Sequence, residues 1–256
     1  MRLMIRIGSQ RRMYEPVSPN ATLYSHAAFC ALWLILLGTT LKGVPLYAQV
    51  GGTRSSTAGE VPVVRFTLDF PGSDPSHYAI QVSREGDASY DSTAKLSPDS
   101  DDTDAFHLDF KVSDAMRKRI FELTARAGYF QKTVASNRRV ASTGSKALAY
   151  KDAERSTQAT FNYSQIPAVQ ELTTLFQNMG LTLEFARRLE YDLHYQKLAL
   201  DAELKRMEEI SKANGLEELQ AAGPILKQIA GDPAVINIVR ARAQRLLARA
   251  GGSPAQ

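Results

Sequence analysis

The chain has 256 residues with 31 lysines and arginines against 27 aspartates and glutamates, a formal net charge of +4. Residues 1–48 carry five of the basic residues and one acidic residue, so the rest of the chain has 26 of each sign. This balance argues against a nucleic-acid-binding domain, which needs a basic face. Cys30 is the only cysteine, which excludes disulfides and cysteine metal sites from residues 49–256.

The segment 1–48 has the pattern of an export signal. Four arginines precede the apolar run 27–41, and the small residue Ala48 follows it shortly afterwards. The run has about 15 residues, fewer than the roughly 20 that span a bilayer. This favours cleavage after Ala48 over retention as a membrane anchor. In the first case the protein is periplasmic or secreted, and in the second it is anchored in the inner membrane.

Four further segments follow the signal. Residues 49–60 are small and polar, which predicts a flexible linker. Residues 61–166 have strand-like alternation around one helix, and residues 167–250 have helical periodicity. The tail 251–256 is predicted to be disordered. We therefore expect an α+β protein: an antiparallel sheet of about six strands with one packed helix, then a long helix and a C-terminal helical arm that packs on the sheet domain or extends from it.

The sheet domain is predicted from period-2 alternation of apolar and polar residues. Its predicted strands lie within residues 64–70, 78–82, 89–96, 106–112, 146–151 and 157–163. Between the fourth and fifth strands, Ser113 is a good helix N-cap and Gly128 stands at the usual position just past a helix end. One helix is therefore expected between the two groups of strands.

The helical part begins at Pro167, from which apolar residues recur at alternating spacings of three and four as far as Met207. This seam predicts one helix of about 45 residues, with two shorter helices after it, the last capped by Asp232. The seam has two possible interpretations. In the first, helix 167–213 forms a coiled-coil homodimer. In the second, its first half covers the sheet and its second half packs on the two C-terminal helices.

Two groups of side chains are candidate metal ligands. His107 and Asp109 share the polar face of the fourth strand and His77 opens the second, a set that chelates zinc if the strands pair in the right register. Asp99 and Asp101 begin an acidic run in which carboxylates alternate, as they do in calcium loops. The glycine and glutamate of an EF-hand are missing from this run. For both groups the alternative is an ordinary solvated surface.

Two other features of the helical part have a functional and a structural interpretation. His194 follows Glu190 by one helical turn and Asp192 by two residues, which suits a metal or proton-transfer pair, or else a surface histidine in a salt link. The last helix carries arginines that suit phosphates or an anionic membrane, or else pair within the fold. These arginines are Arg240, Arg242, Arg245 and Arg249.

One set of segments in fixed order carries a family resemblance. The segments are the hairpin Tyr78–Tyr90, the strand Phe106–Val112, the helix containing Arg119–Leu123 with the pair Tyr129-Phe130, a second hairpin, and Asn162–Pro167 leading into a helix. This order is similar to that of uncharacterised secreted bacterial proteins of acidobacterial type, over roughly residues 61–250. The resemblance implies the fold and export. It implies no site residues, since no activity is known for such proteins.

The sequence thus predicts an exported cell-envelope protein that is a non-enzymatic interaction or structural module. Its protein or other envelope partner would bind the helical arm or the open sheet face. The alternative is an envelope hydrolase or metal-dependent enzyme that uses His77, His107 and nearby carboxylates. Motifs for nucleophilic catalysis, phosphate loops and dinucleotides are absent, so no cofactor is expected. Membrane contact is expected only through residues 27–41, if they are retained.

Overall fold

The computed structural model of the protein describes residues 60–95 and 102–251. These residues have the α+β architecture that the sequence predicts, with one six-stranded antiparallel sheet followed by helices. The predicted export signal, almost all of the predicted linker, Asp99, Asp101 and the residues beyond Gly251 lie outside the described residues.

The sheet has the strand order β4-β3-β2-β1-β5-β6. Its strands are β1 (Val63–Asp69), β2 (His77–Ser83), β3 (Asp87–Lys95), β4 (Thr103–Lys111), β5 (Ser145–Lys151) and β6 (Ser156–Phe161). The first four strands form a meander of neighbouring hairpins. The chain then crosses one face of the sheet, and β5 pairs with the free edge of β1.

Five α-helices and two short 3-10 turns complete the described part of the chain. The α-helices are α1 (Asp114–Arg126), α2 (Pro167–Tyr195), α3 (Leu200–Lys212), α4 (Gly223–Gly231) and α5 (Asn237–Gly251), and the turns are Gly128–Phe130 and Leu219–Ala222. Ser113 is the N-cap of α1 as predicted, since its Oγ accepts a 3.2 Å hydrogen bond from the backbone N–H of Met116.

One face of the sheet is buried and the other is open to solvent. Phe66 on β1 stands opposite Ile80 on β2 and Leu148 on β5, and all three are fully buried. α1 and the first half of α2 cover this face, where the ring of Phe176 stacks on that of Phe66 with centroids 5.4 Å apart. The alternating pattern of the strands follows directly from this one-sided burial.

Helix α2 belongs to two hydrophobic cores in succession. Its residues up to Leu183 pack with the sheet and α1, whereas its residues from Phe185 onward pack with the helices α3, α4 and α5. The second of the two predicted uses of the seam is therefore the one that the structure has. The apolar seam no longer supports homodimerisation through 167–213, because its residues are already buried within one chain. Homodimerisation itself stays a prediction.

The prediction of a single helix of about 45 residues is wrong. α2 ends at Tyr195, and Gln196 to Ala199 form a turn that is closed by a 2.8 Å hydrogen bond between these two residues. α3 then folds back along α2, so that Arg188 pairs with Glu203. The apolar spacing continues through the turn because both helices face the same second core. Spacing alone therefore does not reveal the break.

The start of the last helix also differs from its predicted position. Asp232 accepts a 2.8 Å hydrogen bond from the backbone N–H of Ala234, which forms a turn rather than a helix N-cap. α5 begins only at Asn237. In this turn Val235 is buried in the second core and Ile236 is 62% exposed.

Candidate functional site

The histidines proposed as zinc ligands lie on the open face of the sheet but apart from each other. His77 is on β2 and His107 on β4, with β3 between them. His77 Nδ1 lies 2.5 Å from an Asp69 carboxylate oxygen, and His107 lies 2.7 Å from Asp91 and 3.3 Å from Asp109. The hydrogen bond to Asp91 raises the pKa of His107. Each histidine thus has its own carboxylate partner.

In residues 60–95 and 102–251 the structure has no group of three or more histidines, cysteines and carboxylates that could hold a metal ion. The set of His77, His107 and Asp109 is therefore not assembled into a metal centre. The possible calcium ligands Asp99 and Asp101 fall outside the described residues and stay predictions.

Three of the α5 arginines make contacts within the fold, which was the structural one of their two interpretations. Arg242 and Arg245 both donate to the Glu208 carboxylate on α3, at 3.1 and 2.9 Å. The hydrogen bond from Arg245 contributes most to lowering the pKa of Glu208, which falls to about 2. Arg249 donates to Ser211 of α3. The basic side of α5 is therefore directed partly at α3.

A buried polar cluster fixes where α2 crosses the sheet. Glu184 on α2 is 2% exposed, and its carboxylate accepts hydrogen bonds from the hydroxyls of Tyr90 and Ser92 on β3, at 2.5 and 2.9 Å. Burial, with the negative charge of Glu184 as a second cause, raises the pKa of Tyr90 far above its ordinary value. Arg187 donates to the other Glu184 oxygen at 2.9 Å and to the backbone carbonyl of Lys95. Every member of this cluster has a partner.

Beyond this cluster α2 borders a groove of about 300 Å³. We call it the aromatic groove; its lining residues are Asp104, Phe106, Arg187, Glu190, Tyr191, His194 and Tyr195. The five residues from α2 have the spacing i, i+3, i+4, i+7 and i+8, so they form one helix face. The two residues from β4 are two positions apart and therefore point to the same side of the sheet.

The aromatic side chains of the groove are grouped at its outer end. The rings of Tyr191 and Tyr195 have centroids 5.0 Å apart and are inclined by 44°, and the His194 ring lies 6.1 Å from that of Tyr195. Phe106 lies at the sheet side, edge-on to the buried ring of Tyr90. Tyr195 is 75% exposed, which is unusual for so large an aromatic side chain.

The polar groups of the groove are mostly acceptors. Arg187 is already paired with Glu184, whereas the Glu190 carboxylate has no ion-pair or hydrogen-bond partner among the described residues. Within residues 60–95 and 102–251, the Asp104 carboxylate accepts one hydrogen bond, from the backbone N–H of Ala105. His194 Nδ1 lies 2.7 Å from the backbone carbonyl of Glu190. Because a carbonyl only accepts, the Nδ1–H group of His194 is the donor in this hydrogen bond.

A smaller cavity of about 170 Å³ lies on the other side of Arg187 and Tyr191. Arg188 pairs there with Glu203 of α3, but its buried Nη2 has no hydrogen-bond partner within the described chain. Asp192 also lines this cavity, and burial followed by the nearby charge of Glu203 raises its pKa to about 6. In this cavity α2 and α3 therefore contact each other through the charged side chains of Arg188, Asp192 and Glu203.

No protein-family model matches the chain, and no curated protein matches it. Function is therefore inferred from the geometry of the site. None of the helices in the described ranges is long and apolar enough to cross a membrane.

Sequence reasoning identified part of this site. It selected His194 and Glu190 as neighbours on a helix, and the structure places both in the aromatic groove. It missed Arg187, Tyr191, Tyr195 and the two residues from β4. The signal that was available is the helical spacing of large aromatic residues on the side of α2 opposite the apolar seam.

Proposed function

We propose that the protein is an exported cell-envelope module without catalytic activity of its own, which binds a partner in the aromatic groove. The observation that carries this proposal is the face of α2 from Arg187 to Tyr195. Its aromatic and charged side chains remain exposed or half-buried beside a concave surface. Exposed aromatic side chains next to a pocket are typical of binding surfaces. The signal-like segment 1–48 supports export.

The groove favours binding over catalysis. Among the described residues, the only hydrogen bond of the His194 side chain is to a backbone carbonyl, and no serine, threonine or carboxylate is hydrogen-bonded to it. A histidine that activates a nucleophile needs that nucleophile within hydrogen-bond reach. His77 and His107 do not supply the missing group, because they lie on the opposite face of the sheet.

The export part of the proposal is tested by the N-terminus of the protein expressed in full in a native-like bacterial host. A soluble extracytoplasmic protein that begins at Gln49 is expected. A membrane-bound protein with an intact N-terminus would place the same module at the membrane surface. A soluble cytoplasmic protein with an intact N-terminus would contradict the proposal of export.

The binding part is tested by photo-crosslinking in the same host. A photoreactive phenylalanine analogue replaces Tyr195 in the groove or, as the matched control, Glu122 on the exposed side of α1. We expect a defined crosslinked species from position 195 that is absent from position 122 and is lost when Tyr191→Ala is added. Equal crosslinking from both positions, or none from either, would contradict a binding role for the groove.

A further inference from the structure

The aromatic groove has the chemistry of a site for a positively charged organic group. We propose that its ligand is an organic ammonium ion, held against the rings of Tyr191 and Tyr195 and facing the carboxylates of Glu190 and Asp104. This inference rests on the proposed binding function and names the class of ligand.

The first argument is the arrangement of the rings. The negative face of an aromatic ring attracts cations within about 6 Å of its centroid. Two tyrosine rings 5.0 Å apart and inclined by 44° form a corner rather than a parallel stack. A rounded cation on the open side of this corner can contact both rings. Phe106 adds a third ring to the lining of the groove.

The second argument is the charge that faces the groove. From β4 it is Asp104, and from α2 it is Glu190, Arg187 and His194. The charge of Arg187 is balanced by Glu184 at 2.9 Å, and its Nη1 is used by the Lys95 carbonyl. The carboxylates of Asp104 and Glu190 have no ion-pair partner in the described part of the chain. The groove is therefore negative and aromatic, the combination that suits an ammonium group.

Other ligand classes fit less well. An anion would face the carboxylates of Glu190 and Asp104. The Arg187 Nε–H is already donated to Glu184 in a largely buried contact. A bare metal ion would need more ligands than the groove presents, and in the described ranges no such group exists. A volume of about 300 Å³ lies at the small end of known ligand pockets. An ammonium headgroup or a short alkylamine is of suitable size.

The test is calorimetric titration of the full-length chain in detergent solution with choline. The matched control ligand is 3,3-dimethyl-1-butanol, which has the same shape as choline without the charge. We expect choline to bind at least tenfold more tightly than its neutral isostere. Equal affinity for the two would show a merely hydrophobic groove, and tighter binding of acetate or phosphate would show an anion site. Either result would overturn the inference.

Variants assign the binding to the groove. Tyr195→Ala should weaken choline binding at least tenfold, Tyr195→Phe should retain it, and Glu190→Gln should weaken it several-fold. Glu122→Gln, on the exposed side of α1, should leave it unchanged. Because Tyr195 is 75% exposed, its replacement should not alter the thermal unfolding midpoint. Choline binding that survives Tyr195→Ala would place the cation elsewhere and refute the assignment.

Two further probes separate the sources of the ammonium group. Phosphatidylcholine vesicles present it on a lipid, and N-acetyl-lysine amide presents it as a protein side chain. Binding of one of these probes that is lost in Tyr195→Ala supports the inference and identifies the source, whereas vesicle binding that survives Tyr195→Ala reports the apolar segment 27–41 and counts against the groove. If Tyr195 forms its crosslink in cells but neither choline nor these probes bind, the ammonium ligand is wrong and the binding function stands. If the crosslink is also absent, both fail.

Discussion

The Ser92 hydroxyl on β3 donates a 2.9 Å hydrogen bond to the Glu184 carboxylate on α2, although the two residues are 92 positions apart in sequence. Together with the core packing and the Tyr90–Glu184 contact, this hydrogen bond fixes the point at which α2 crosses the sheet and the rotation of the helix about its axis. With this rotation Arg187, Glu190 and Tyr191 face the groove. The buried cluster and the exposed site are therefore parts of one arrangement.

Replacing Glu184 should destabilise the protein strongly. In Glu184→Ala the guanidinium of Arg187, 12% exposed, loses its counter-ion, and the Tyr90 hydroxyl loses its acceptor. Breaking a buried pair in this way costs about 3–5 kcal/mol. Urea unfolding measures the loss, and Glu122→Ala on α1 should change stability by less than about 0.5 kcal/mol.

The double variant Glu184→Leu/Arg187→Leu should lose less stability than the sum of the losses in Glu184→Leu and Arg187→Leu. A fully additive loss would argue against the pairing.

Gly180 on α2 permits close approach of the helix to the sheet. A Cβ added there would lie 2.9 Å from the ring of Tyr78, which is itself buried in the sheet core. We expect Gly180→Ala to cost about 1–3 kcal/mol, because overpacking moves the helix or the ring. Gly231→Ala is the control, since Gly231 is an exposed helical residue at the end of α4 and its Cβ would meet nothing within 4 Å. The control should be neutral or slightly stabilising. Equal effects of the two changes in thermal unfolding would contradict the close contact.

The free energy of unfolding should depend on pH through the clamp between α3 and α5, our name for the contacts of Glu208 with Arg242 and Arg245. The pKa of Glu208 is lowered to about 2 from 4.5 by its hydrogen bond from Arg245. A lowered carboxyl pKa means that the unfolded chain binds the proton more readily, so Glu208 stabilises the fold above pH 4.5 and this contribution is lost as the pH falls toward 2. Glu208→Gln should lower stability at pH 7 and flatten the dependence between these values. The measurement is denaturant unfolding at several pH values. If the free energy of unfolding of Glu208→Gln varies with pH as in the parent protein, the clamp contributes nothing.

Asp192 should act in the opposite direction. Its pKa is raised to about 6 from 3.8, by burial and then by Glu203. Between these values the folded protein holds the proton that the unfolded chain releases, so this residue lowers stability as the pH rises from about 4 to 6. Asp192→Asn should therefore raise the unfolding midpoint at pH 7 and have little effect at pH 4. Glu154→Gln, an exposed carboxyl on the β5–β6 turn, is the control. A lower midpoint for Asp192→Asn at pH 7 would mean that its charge is stabilised by Arg188.

Leu200 tests the internal use of the seam. It is fully buried in the second core, and Leu193 is 8% exposed. We expect Leu200→Asp to unfold the helical part, since it buries an unpaired charge. Leu198→Asp is the control, because Leu198 is 95% exposed two residues earlier. A folded monomer from Leu200→Asp, obtained from a parent that is a dimer by sedimentation, would instead restore the coiled-coil hypothesis.

The strands and the first helix could be predicted because each follows one local rule. The residues around Phe66 alternate because one sheet face is buried, and Ser113 begins α1 because its hydroxyl replaces a missing backbone partner. The turn at 196–199 obeys no such rule. Its flanking helices bury against one core, so the apolar spacing runs through it unchanged.

The aromatic groove was less accessible to prediction because it combines distant segments. Glu190 and Tyr191 on their own read as the polar side of an amphipathic helix. Only the pairing of β3 with β4, which sets Phe106 opposite Ser92, together with the Ser92–Glu184 contact, brings Asp104 and Phe106 beside that helix face. Register and helix rotation are set by the whole core and not by local sequence.

The membership of α2 in both cores has a consequence for how the chain is made. Synthesis proceeds from the N-terminus, so all six strands exist before the helix that covers them is complete. Until Leu183 has emerged, the apolar sheet face around Phe66 and Ile80 has only α1 over it. Folding of the newly made chain must therefore wait for a segment that arrives after the last strand, and during that interval the unfinished sheet is the part of the nascent chain most in need of protection from aggregation.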